Sequence, residues 1–115
     1  MYKTLQIPTT LPTLDELLGR PAYPEDRIVG HYLSLLRHDR LNVLTIHAEV
    51  EGMKKIDLFR VLLETIKENK VRVLRLDELA RDLLKKPASI PVCSLVVGTI
   101  DGRSGTLAVQ QCDGA

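Results

Sequence analysis

A histidine and two glutamates fall at alternate positions in Asn42-Val-Leu-Thr-Ile-His-Ala-Glu-Val-Glu-Gly52, the stretch of the chain whose residue types could do chemistry. An imidazole titrates near neutrality and can give or take a proton, and carboxylates can accept a proton or hold a cation. If the backbone stays extended past Ile46, then His47, Glu49 and Glu51 point to one side, because strand side chains alternate with a period of two. Three ligands on one face could hold a divalent metal. If the chain turns after Ala48 instead, the glutamates are solvated or pair with Lys54 and Lys55, and this is the expected geometry. His47 alone is consistent with a proton donor, a ligand or a polar plug held by backbone groups.

The elements that must position these groups read as α/β. Val43, Leu44, Thr45 and Ile46 have the unbroken apolar character of a parallel strand buried on both faces, which would put His47 at its C-terminal edge, where such folds gather catalytic groups. Ahead of it, Leu5–Ile7 is strand-like. Thr13 and Glu16 form a Thr-x-x-Glu capping box for a short helix that Gly19 ends, and a longer helix runs from Pro24 to about Arg40. His31 and His38 in that helix are expected to be structural or solvated. A helix from Asp57 carries Leu58, Phe59, Leu62, Leu63 and Ile66 and stops at Asn69-Lys70. Val71–Leu76 is expected as a strand, and Asp77 as the cap of a last helix with Leu79, Ala80, Leu83 and Leu84. Alternating strands and helices require right-handed crossovers and a parallel sheet. Ser94–Ile100 and Thr106–Cys112, joined by Asp101-Gly-Arg-Ser-Gly105, read as an antiparallel hairpin. With no linker or repeat, residues 1–115 read as a single domain.

Composition narrows the function classes. Sixteen Lys and Arg against fifteen Asp and Glu give a formal charge of +1, and one Phe, three Tyr and no Trp offer no stacking platform, so nucleic acid is disfavoured. The amino terminus lacks the features of a signal peptide and no apolar run approaches membrane-spanning length, so a soluble, cytoplasmic chain is expected. Two cysteines in a reducing compartment are expected to stay thiols, although Cys93 and Cys112 flank the hairpin almost symmetrically and a cross-strand disulfide is geometrically conceivable.

Read together, Gln6-Ile-Pro-Thr-Thr-Leu-Pro-Thr13, Asp15-Glu16 with Gly19-Arg20, Thr45-Ile-His-Ala-Glu-Val-Glu-Gly52, and Gly102-Arg with Gln110-Gln111 carry a resemblance through nearly the whole chain. They resemble the C-terminal portion of polysaccharide-deacetylase-like enzymes of the NodB-homology superfamily, in particular those that deformylate a formamido sugar linked to undecaprenyl phosphate, in the pathway adding aminoarabinose to lipid A. The resemblance implies a partial (β/α) barrel of the polysaccharide deacetylase type plus the terminal hairpin. Leu44-Thr-Ile-His47 matches the last of the superfamily's catalytic motifs, a leucine separated by two residues from a histidine, which makes His47 the implied catalytic general acid. Leu44 and Ile46 would wall the acyl pocket or the barrel interior, and Glu49 and Glu51 would shape the loop or face the substrate. In the implied reaction a metal (zinc, cobalt or manganese) polarises the formyl carbonyl, a carboxylate deprotonates water, and the histidine protonates the departing amine.

The earlier motifs of that superfamily have no counterpart in this sequence. These are an Asp-Asp pair, a His-x-x-x-His metal pair and an arginine motif, and they would lie upstream of Met1. The chain itself therefore carries no expected metal ligand or cofactor, and activity on its own is not expected. An upstream half of the barrel is one expected partner, and a homodimer that covers unpaired sheet edges is another. Peripheral attachment at the cytoplasmic face of the inner membrane would suit the lipid-linked substrate. The competing reading is a non-enzymatic α/β module that binds a sugar-lipid or a protein partner.

Overall fold

Local signals at the start of the chain are strong enough to fold it around a short first helix. In the computed structural model, which describes residues 3–112, the carboxylate of Glu16 accepts the backbone N–H of Thr13 at 2.9 Å and its hydroxyl at 2.6 Å. This fixes the entry to α1, Leu14–Leu17. Gly19 leaves the helix at φ 76°, a conformation costly for any side chain with a Cβ. A 3-10 turn, Glu25–Arg27, leads into α2, Ile28–Leu35, and a π-helical turn, Val50–Lys54, precedes α3, Ile56–Glu68. The rest comprises α4, Leu76–Leu84, a 3-10 turn at Pro87–Ser89, and a hairpin of β1, Ser94–Gly98, and β2, Leu107–Gln111.

The described residues form two units, Ile7–Arg72 and the described parts of 1–6 and 73–115. The first holds the apolar core: Leu11, Leu14, Leu17, Ile28, Tyr32 and Leu62 are almost wholly excluded from water, with Leu44, Leu58, Phe59 and Ile66 packed half-buried around them. Leu58, Phe59, Leu62 and Ile66 lie on one face of α3, as their spacing predicts, while Leu63 is turned outward.

In the second unit, β1 and β2 pair antiparallel with Ser94 opposite Gln111 and Gly98 opposite Leu107. Arg103 N–H closes the turn on Ile100 C=O at 3.1 Å, with Gly102 at φ 88°. A Cβ at Gly98 would come within 2.8 Å of Val109 Cγ2, so only glycine lets the strand pass. One register step beyond Ser94 and Gln111, Cys93 and Cys112 form a disulfide with their Cα atoms 4.3 Å apart. This corrects the expectation of free thiols: compartment sets the redox prior, but hairpin register places these two residues face to face.

Several segments differ from the sequence reading. Leu5–Ile7, Val43–Ile46 and Val71–Leu76 are not strands here, and the described sheet is the two-stranded hairpin. Parallel strands depend on neighbours for every backbone bond. At Val43 those bonds go to Thr10 and Leu11 instead, since its C=O accepts Thr10 N–H at 2.9 Å and Leu11 N–H at 3.0 Å, and its N–H donates to Thr10 Oγ1 at 2.7 Å. Thr45 and Ile46 are exposed, and so are Val73 and Leu74. Helix α2 stops at Leu35 rather than Arg40 because the Asn42 side chain takes both backbone groups of Arg37, accepting its N–H at 2.9 Å and donating to its C=O at 2.8 Å. Helix α4 begins one residue before Asp77, whose carboxylate is held by the Arg75 guanidinium at 2.9 and 3.1 Å rather than capping the helix.

Candidate functional site

The backbone leaving the core at Leu44 reaches His47 and then reverses. His47 C=O accepts the N–H groups of Val50 and Glu51, each at 3.0 Å, and the π-helical turn tightens with Lys55 N–H on Val50 C=O at 2.7 Å. π-Helical turns are rare and frequently fall at functional sites. The side chain of Glu51 folds back so that Oε2 accepts His47 N–H at 2.9 Å. Both backbone groups of the histidine are thus tied to one residue. Glu51 is 3% exposed, and its other oxygen, Oε1, has no hydrogen-bond partner among the described residues.

From α1, Asp15 approaches the imidazole, with its Oδ1 4.0 Å from His47 Nδ1, ion-pair range rather than a direct hydrogen bond. Nδ1 is shielded from water although the side chain as a whole is 36% exposed, so the accessible part of the ring lies away from that nitrogen. In the core Tyr32 is 3% exposed, and its hydroxyl donates to Pro12 C=O at 2.8 Å. Burial, and then the negative charges of Glu51, Glu16 and Asp15, push this phenol well above the ordinary tyrosine range. The site is therefore one histidine among three carboxylates and a phenol that stays neutral.

The turn expected after Ala48 is present, and the arrangement of His47, Glu49 and Glu51 on one face is not. Glu49 is exposed at the start of the π-helical turn while Glu51 is buried beneath it. Lys55 pairs with Glu25 rather than with either of these glutamates. Leu44 packs half-buried against the core, and Ile46 is 49% exposed beside His47 in sequence. No three His, Cys, Asp or Glu side chains among the described residues are grouped to hold a metal ion. The metal implied by the resemblance thus finds no fitting donor set among them. Asp15 is the functional candidate that the residue pattern alone did not single out. It lies inside the capping-box sequence, where an acidic residue reads as a helix-dipole partner, and only the fold brings it to His47.

No family model matches the chain. It is 39% identical over 105 residues, 91% of its length, to the probable 4-deoxy-4-formamido-L-arabinose-phosphoundecaprenol deformylase ArnD of Shewanella sediminis (strain HAW-EB3), of which it covers 33%. Against the protein of the same name from Wigglesworthia glossinidia brevipalpis, it is 36% identical over 110 residues, covering 94% of this chain and 37% of the relative. The chain thus spans about a third of the length of the curated relatives it matches. Over nine tenths of its own length, it is similar to part of these two proteins named as formamido-arabinose-phosphoundecaprenol deformylases.

Proposed function

We propose that this chain supplies the proton-donating part of a carbohydrate amide hydrolase acting on a formamido sugar linked to undecaprenyl phosphate, with His47 as general acid. The observation that carries this reading is the clamp on His47: its backbone is tied to Glu51, and its Nδ1 is turned to Asp15 at 4.0 Å. An amine leaves an amide poorly unless protonated. With Nδ1 directed at a carboxylate, Nε2 is the nitrogen left to deliver a proton to the departing sugar amine. Ile46, exposed next to His47, and Leu44 offer apolar surface for the acyl side, and Glu49 faces solvent where a sugar hydroxyl could be met.

In the same reading the chain is the C-terminal portion of a (β/α) barrel. Val43–Ile46 and Val71–Leu76 become strands when the upstream half supplies neighbours, and a dimer through the hairpin edges is the alternative cover. Attachment is peripheral, at the cytoplasmic membrane face. Among the described residues no helix is long and apolar enough to cross a membrane.

The test is a chimera in which the matching third of the Shewanella sediminis relative is replaced by this chain. It should release formate from the lipid-linked formamido sugar, and His47→Asn should lower kcat by about 10²- to 10⁴-fold, the usual worth of a positioned general acid. The chain alone, with divalent metal added, should show no turnover. Full activity of the His47→Asn chimera, or turnover by the isolated chain, would refute the proposal.

A further inference from the structure

A concave site lies within Ile7–Arg72, sharing no residue with the His47 cluster. It is a notch of about 250 Å³ between the loop after α2 and the end of α3. Arg37, His38 and Arg40 line it from the loop, and Lys70 and Arg72 from the end of α3, with Asn42 and Asn69 completing the wall. No acidic side chain is among its lining residues. Asp39 stands at its margin, with one oxygen 3.6 Å from Arg37 Nε and 3.8 Å from Arg40 Nε, too far for a direct hydrogen bond to either. Both arginine side chains remain more than half exposed. The chain as a whole carries a formal charge of +1, so four permanent cations around one small space are a local concentration and not a general basic character.

Two features of the backbone hold this arrangement ready. Asn42 pins the basic loop through Arg37 N–H and C=O and through Arg40 C=O at 3.3 Å. Helix α3 ends in a Schellman turn, with Lys70 N–H on Lys67 C=O at 2.9 Å and Val71 N–H on Ile66 C=O at 3.2 Å. The left-handed position of that turn usually belongs to glycine, yet Lys70 occupies it at φ 59°, the one non-glycine residue with positive φ among those described. A side chain kept where the backbone disfavours it points to a use for the ammonium group. Planar guanidinium forks and an ammonium around a small volume are a donor set for a tetrahedral oxyanion.

We infer that this notch binds a phosphate group, either as the free anion or as the headgroup of a lipid. The inference stands apart from the role given to His47. The full chain is titrated at constant ionic strength with inorganic phosphate, followed by amide chemical shifts, and separately with phosphatidylcholine vesicles with and without phosphatidic acid. Saturable shifts in residues 37–40 and 69–72, weakened at least about tenfold by Lys70→Gly with Arg72→Gln, support a site for free phosphate. Retention on phosphatidic acid vesicles alone, lost in the same variant, supports the headgroup. Glycine is unstrained at φ 59°, so the variant should keep its fold, checked by an unchanged His47 amide signal. If neither probe binds, or if the variant binds both as well as the parent chain, the inference is overturned.

Discussion

Replacing Glu51 separates its two duties, as hydrogen-bond acceptor for His47 and as buried charge. Glu51→Ala removes the acceptor at 2.9 Å and leaves the His47 N–H facing a void in a place that is 3% exposed. A bond to an ionised partner contributes about 1.5–3 kcal/mol, and the one methylene lost adds up to roughly 0.8 kcal/mol. Relief from burying a charge with one unpartnered oxygen offsets part of this, for a net loss of about 2 kcal/mol. Glu51→Gln keeps an acceptor of the same reach while discarding the charge, so it should stay within about 1 kcal/mol of the parent chain. Urea unfolding followed by tyrosine fluorescence suits the measurement, because Tyr23 and Tyr32 both lie in Ile7–Arg72. Amide exchange at His47 gives a local reading, with protection falling by about 30-fold in Glu51→Ala if that turn opens by itself. A loss below about 0.5 kcal/mol in Glu51→Ala, or an equal loss in both variants, would show that Glu51 does not hold the turn.

Stability should also depend on Tyr32 at high pH. Its folded pKa is raised above the unfolded value, so the neutral phenol's contribution is complete below about pH 10 and is lost as pH rises from there, by at most about 1.4 kcal/mol per pH unit. Glu51→Gln should bring the phenol's titration, read from tyrosinate absorbance, to lower pH, yet leave it above the ordinary value, because burial is the larger cause. At the hairpin, Cys93→Ser with Cys112→Ser opens a loop of separation 19 and should remove about 3 kcal/mol of chain-entropy stabilisation from that unit, seen as faster exchange at Val96 and Val97. Two free thiols titrating in protein prepared without reductant would contradict the disulfide.

What could be read from the sequence was what local residues determine. Thr13 and Glu16 announced α1, the spacing from Leu58 to Ile66 announced α3, and the glycines of Asp101–Gly105 announced the hairpin turn. The strand-like segments were a different matter, because apolar β-branched residues record a preference for burial between neighbours and cannot supply those neighbours. Val43 shows the result, with its backbone bonds taken by Thr10 and Leu11. His47 was legible as a chemical group from its setting in the sequence. Its supports were less so: Glu51 reads as a solvated or lysine-paired glutamate on the loop, and its folding back onto His47 N–H depends on a π-helical turn that has no simple residue signature. Asp15 was hidden because it is distant in sequence and useful as a helix-dipole partner where it stands.

The Cys93–Cys112 bond closes the hairpin into a covalent ring, with the exposed Asp101–Gly105 tip at the far end from the sulfurs. A protease that cuts the tip would therefore break one peptide bond and release nothing: the two strands would migrate as one molecule until a reductant parts them. Cleavage would be silent in mass apart from one added water, and the fragment carrying β2 would be shed in a second, chemically separate step.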